Sequence, residues 1–171
     1  MLLKINVASL RRHEGSSAKY ELCESLPPIQ LAREEYPLST PLKVRLDVTN
    51  TGKSLMVKGK VEAELRVQCS RCLKEFTYPL SFGFEDEWLP IENAAQDEEV
   101  TALVFEKDEF SIKERIIEHI LLHLPMRFLC SEDCQGLCSK CGADLNVKPC
   151  ACTDEVIDPR LEILSKWNKG V

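Results

Sequence analysis

Leu42, Val44, Leu46 and Val48 alternate with polar residues, which is the period of a half-buried strand. Asn50-Thr51-Gly52 then reads as a turn. Leu55, Val57, Val61, Ala63, Leu65 and Val67 resume the alternation, and Gly59 in the gap predicts a bulge or a close approach by another group. Cys69 falls on the same parity. A third run follows in Phe76, Tyr78, Leu80, Phe82 and Phe84. Three consecutive strands with short links predict an antiparallel meander, curved into a sandwich or barrel-like sheet. Upstream, Leu3, Ile5 and Val7 alternate, as do Tyr20 and Leu22. This predicts two short strands, with Pro27, Pro28 and Pro37 breaking what lies between. Val100 to Phe105 is read as a further strand.

Beyond an acidic stretch from Glu92 to Glu99, read as a solvated link, the period changes. Ser111 with Glu114 fits a Ser-x-x-Glu capping box. Ile112, Ile116, Ile117, Ile120, Leu121 and Leu124 then mark one apolar helix face, which Pro125 terminates. From Cys130 to Cys152 large apolar side chains are nearly absent, so this tail needs a cross-link to fold. Asp158-Pro159 suits an N-cap followed by Pro at the first helical position, opening a short docking helix with Leu161, Leu164 and Trp167. The expected class is α+β: a curved antiparallel sheet or partly open barrel or sandwich, with one packed helix and a stapled C-terminal tail, the staple being the zinc that the cysteine pairs Cys69-x-x-Cys72 and Cys138-x-x-Cys141 suggest. The expected division is a β-rich core with its helix over 1–125 and a cysteine-rich, zinc-binding tail with the docking helix over 126–171.

Composition supports a globular chain, with 44% apolar and 29% charged residues in 171. No apolar run reaches the roughly 18 to 20 residues that span a bilayer, and the polar run Arg11 to Glu14 follows the first short apolar stretch. A cytoplasmic protein is expected, without a membrane role or an inferred small-molecule substrate. The net charge of −6 opposes non-specific binding to nucleic acid, which needs Lys and Arg to displace counterions.

Nine cysteines change the picture. Cys69-Ser70-Arg71-Cys72 and Cys138-Ser139-Lys140-Cys141-Gly142 are knuckle-type pairs that can present two thiolates to one metal. Cys130 and Cys134 are separated by three residues, and Cys150 and Cys152 by Ala151 alone. Setting Cys23 aside leaves eight, enough for two four-ligand zinc sites, although spacing alone does not fix the pairing. One tail site with Cys69 and Cys72 metal-free, or no metal, is also compatible. Chain order favours Cys69, Cys72, Cys130 and Cys134 as one set and Cys138, Cys141, Cys150 and Cys152 as the other. Two tetrathiolate sites, each carrying −2, would take the net charge from −6 to −10, which makes a basic protein partner electrostatically natural. Disulfides are disfavoured in a reducing compartment. A redox role for the first pair is disfavoured because it lies between strands, not at a helix N-terminus. Cys23 is expected as a buried free thiol.

His119 and His123 share a helix face, but no Glu follows the first where a metallopeptidase would need its base, so both are expected to be structural or solvated. No phosphate-binding Gly loop, Gly-x-Ser-x-Gly or paired catalytic carboxylates stand out. Arg71, Lys74, Lys140, Lys148 and Arg160 surround the cysteines and form a candidate basic patch for nucleic acid, with ordinary surface charge as the alternative.

Val67-Gln68-Cys69-Ser70-Arg71-Cys72 with Phe76 resembles the central motif of the YceD family, the large ribosomal RNA subunit accumulation proteins. The tail from Leu129 to Gly142, Leu145-Asn146, Cys150-Ala151-Cys152 and Ile157-Asp158-Pro159-Arg160-Leu161 resembles the cysteine-rich form of that family's C-terminus. The resemblance implies a non-catalytic ribosome-biogenesis role in large-subunit rRNA accumulation, with a ribosomal protein, assembly factor or pre-ribosomal RNA as partner. It also implies that metal supports the fold. The competing class is an enzyme, either a dithiol oxidoreductase or an RNA-processing activity.

Overall fold

The alternating runs become the centre of a five-stranded sheet in the computed structural model, which describes residues 3–31, 34–94 and 103–152. The described strands are β1 (Lys4–Asn6), β2 (Ser17–Glu24), β3 (Ile29–Leu31), β4 (Glu34–Tyr36), β5 (Leu42–Asn50), β6 (Leu55–Gln68), β7 (Glu75–Pro90), β8 (Leu103–Phe105) and β9 (Glu109–Ser111). The helices are a short α1 (Ile91–Ala94) and α2 (Lys113–His123). Sheet order is β2-β5-β6-β7-β8, with separate two-stranded pairs β1-β9 and β3-β4. The architecture is α+β. Among the described residues the main sheet is open, ending at β2 and β8, so it does not close into a barrel. The antiparallel expectation holds from β2 to β7, but β8 pairs parallel to β7.

Register follows from which parity is apolar. Even residues of β5, odd residues of β6 and even residues of β7 face the core. The β6–β7 pairing runs from Leu55↔Trp88 to Gln68↔Glu75 without a bulge. Gly59 is therefore the close-approach case. It sits opposite Phe84, and a Cβ there would lie 2.1 Å from the Phe84 ring. Helix α2 covers this core with Ile116 and Ile120 buried. Its start differs from the expected capping box. Ser111 belongs to β9, Ile112 is the N-cap, and the Ser111 hydroxyl accepts the Lys113 amide at 3.3 Å. The helix ends at His123, as Pro125 requires.

Two compact units result: Met1–Ser70 with Lys74–Cys130, and Arg71–Leu73 with the segment from Ser131 onward. The second unit's described residues form turns rather than regular elements. Cys138 N–H donates to Ala143 O (2.8 Å), Gly142 N–H to Cys138 O (2.9 Å), Leu145 N–H to Gly136 O (2.9 Å) and Leu137 N–H to Arg71 O (3.2 Å). Most of the expected acidic link, the expected helix from Asp158, and Arg160 lie outside the described residues.

Candidate metal centres

The β6–β7 turn places the first cysteines. Cys69 N–H donates to Lys74 O at 2.9 Å, closing the turn after Gln68. Ser70 N–H donates to Phe128 O at 2.8 Å. Phe128 is itself buried, with its ring 5.5 Å from Tyr36 and 5.2 Å from Tyr78. That aromatic anchor fixes the chain just before Cys130. Arg71 does a comparable job for Cys134, whose carbonyl accepts from Arg71 Nη1 at 2.7 Å. The outcome is a first quartet, Cys69, Cys72, Cys130 and Cys134, whose sulfurs all lie within 4.8 Å of one another. Cys69, Cys72 and Cys134 are buried.

The second quartet is Cys138, Cys141, Cys150 and Cys152, with its sulfurs also within 4.8 Å of one another. It is more exposed, with only Cys138 buried. Backbone amides of Cys141 and Lys140 point at the Cys138 sulfur and pull its pKa down to about 6. Cys152 is pushed up to about 12, first by its hydrogen bond with Cys141 and further by that with Cys138. A thiol whose pKa is lowered by backbone amides, among three close sulfur neighbours, is the donor chemistry a cation completes.

Both sets fit a tetrahedral metal. Metal–sulfur bonds of about 2.3 Å require sulfurs about 3.8 Å apart, within the spread found here. No cysteine is in a disulfide. Each quartet could thus hold a metal ion through four sulfurs.

The two knuckles share a backbone device. The residue after the second Cys is left-handed in both, Gly142 at φ 70° and Leu73 at φ 60°. Glycine adopts this freely, whereas Leu73 does so under strain and is 55% exposed.

The other expected site residues separate. Arg71 is tied to Cys134 O. Lys74, Lys140 and Lys148 are exposed beside the cysteines. Cys23 is exposed, not buried, because on β2 Ala18, Tyr20 and Leu22 take the inward parity and Cys23 the other. His119 and His123 do not converge on a common site. His119 Nε2 donates to Asp86 Oδ2 at 2.9 Å, while His123 stacks on Phe82 at 4.1 Å.

Sequence reasoning missed Asp86. It occupies an inward position of β7 between Phe84 and Trp88. Arg115 grips it through Nη2 to Oδ1 at 2.6 Å and Nε to Oδ2 at 3.0 Å. Burial alone would raise the Asp86 pKa, but the bonds from Arg115 and His119 outweigh it and hold the carboxyl below its ordinary range. The detectable signal was parity, since Asp86 continues the even-numbered apolar series.

Among the described residues no helix is long and apolar enough to cross a membrane. Fold and site together define a cysteine-rich α+β protein with two four-sulfur clusters suited to metal. Comparison with known proteins specifies it further. The family model described as large ribosomal RNA subunit accumulation protein YceD matches residues 57–167, and the chain belongs to this family. An uncharacterized protein of Mycobacterium tuberculosis is 28% identical over 167 residues, covering 92% of this chain and 77% of the relative. The Arabidopsis thaliana chloroplastic large ribosomal RNA subunit accumulation protein YCED homolog 1 is 26% identical over 153 residues, covering 73% of this chain and 48% of that protein. No solved structure gives a significant match.

Proposed function

We propose that the chain is a non-catalytic ribosome-biogenesis factor that supports accumulation of large-subunit ribosomal RNA. The observation carrying this reading is the family match over residues 57–167, which spans both quartets. The chain acts in the cytoplasm by binding a ribosomal protein, an assembly factor or precursor RNA. Residues 1–125 are the β-rich core and 126–171 the metal-binding tail. Zinc is held by Cys69, Cys72, Cys130 and Cys134 and by Cys138, Cys141, Cys150 and Cys152, and serves the fold. Four thiolates without an acidic or imidazole ligand suit a closed structural site.

Charge supports a basic protein as the direct partner. The net charge is −6 before any metal binds. Cations on the sheet's outward face already have carboxylate neighbours: Lys60–Glu62 at 2.7 Å, Lys58–Glu85 at 3.3 Å and Arg45–Glu21 at 3.9 Å. The second reading is direct RNA contact through Arg71, Lys74, Lys140, Lys148 and Arg160, the basic residues that neighbour the cysteine motifs in sequence.

Crosslinking of the full chain in cells, sorted into RNA and protein partners, tests this. Crosslinks to large-subunit ribosomal proteins are expected, with co-purification of ribosomal components that is lost at moderate salt and a reduced ratio of large- to small-subunit rRNA when the gene is deleted. An unchanged ratio without ribosomal crosslinks would overturn the reading. Cleavage of precursor rRNA by the purified, metal-loaded chain would overturn its non-catalytic part.

A further inference from the structure

We infer that Asn146 is a positioning residue that couples the two quartets, so that filling one raises the metal affinity of the other. This rests on the metal-binding reading above. Asn146 lies in the loop between Cys141 and Cys150, both members of the second quartet. Its carboxamide nevertheless serves the first. Asn146 Nδ2 donates to the Cys134 sulfur at 3.6 Å, a normal length for a hydrogen bond to sulfur. The same side chain accepts the Gln135 amide on Oδ1 at 2.7 Å, which fixes the residue next to Cys134.

The carboxamide is itself held. Asp144 Oδ1 accepts both Asn146 Nδ2 (2.7 Å) and the Asn146 backbone amide (2.9 Å). Leu145 N–H donates to Gly136 O at 2.9 Å, and Leu137 bridges Asp144. The loop that a metal at the second quartet closes at both ends is thus the loop that aims a donor at Cys134. A metal-bound thiolate carries excess negative charge, and an N–H pointed at it disperses that charge and orients the sulfur lone pairs. Ordering this loop therefore favours metal at the first quartet, and linkage makes the effect reciprocal.

The test uses the full chain, stripped of metal and titrated with Co2+ against a competing chelator. Thiolate-to-cobalt charge-transfer and ligand-field bands report each site. The native chain is expected to take two equivalents. Asn146→Ala and Asn146→Asp are expected to weaken the first quartet by about tenfold or more and to shift its cobalt bands, with the sheet circular dichroism unchanged. Asp retains an acceptor for the Gln135 amide while losing the donors to the Cys134 sulfur and to Asp144, so a loss shared by both variants traces to the carboxamide N–H groups and not to the Gln135 bond. In Cys150→Ser/Cys152→Ser, the first quartet is expected to lose a similar factor, and adding Asn146→Ala should cost little more. Native affinity and spectrum in both Asn146 variants would overturn the coupling while leaving the metal reading intact. So would a full additional loss from Asn146→Ala in the double-serine background. Failure of the native chain to bind any metal would overturn both.

Discussion

Asp86→Ala removes the acceptor for three N–H donors at once, Arg115 Nη2 and Nε and His119 Nε2, at 2.6, 3.0 and 2.9 Å. The Asp86 side chain is 4% exposed and that of Arg115 is 27% exposed. Removing one partner from a fully buried ion pair costs roughly 3–5 kcal/mol. Arg115 can rehydrate through its exposed part and still reaches Glu118 at 2.9 Å, so the expected loss is lower, about 2–3 kcal/mol. Urea unfolding of the metal-loaded chain, followed by sheet circular dichroism, reads it as a shifted midpoint. The pH dependence follows from the depressed Asp86 pKa. A carboxyl depressed in the folded state stabilises fully above its unfolded pKa, about 3.9, and that stabilisation is lost as pH falls through the folded value. The gap between native and variant should therefore persist from neutral pH to about 4 and narrow below it. A loss under about 1 kcal/mol at neutral pH, or a gap that widens below pH 4, would refute the ion-pair argument.

Gly59→Ala places a methyl against a Phe84 ring already backed by His119 at 4.4 Å, and should cost about 1–3 kcal/mol. The cost should shrink in a Phe84→Leu background, as urea midpoints of the four-variant cycle would show. Leu73→Gly relieves the left-handed strain at φ 60°, partly offset by glycine's greater unfolded-state entropy. It should raise the thermal midpoint of the metal-loaded chain, whereas Leu73→Val should lower it. In the metal-loaded chain Cys23 alone should alkylate rapidly, and all nine thiols should do so after a strong chelator and denaturant. Mass spectrometry counts them, and several fast thiols before chelation would count against metal protection.

The central strands were legible because half-buried strands carry their burial in a two-residue period, and β5, β6 and β7 each obey it. The helix was legible for the same reason at its own period. The partner of β8 was not, since a parallel edge pairing depends on a connection outside any local pattern. Asp86 escaped because a carboxylate is ordinarily read as surface, and only tertiary partners on α2 make its burial tolerable. Cys23 was misplaced in the opposite sense: the usual burial of cysteine was given more weight than strand parity. Chain order favoured one grouping of the eight cysteines without fixing it, and the Asn146 bond to Cys134 was not legible at all, because an Asn in a turn has many local uses and its direction is set by loop folding.

The unbroken β6–β7 ladder has a consequence for the order in which the protein is made. The hairpin needs only residues 55–90 and a six-residue link to close, so its contacts are local and quick to form. It brings Cys69 and Cys72 together at its tip while Cys130 is still 40 residues beyond Pro90 and unmade. The second quartet spans only Cys138 to Cys152 and is made nearly at once. The nascent chain therefore carries a preassembled half-site while the residues from Pro90 to Cys130 are added, and Cys69 and Cys72 are the ligand pair that waits longest for its partners.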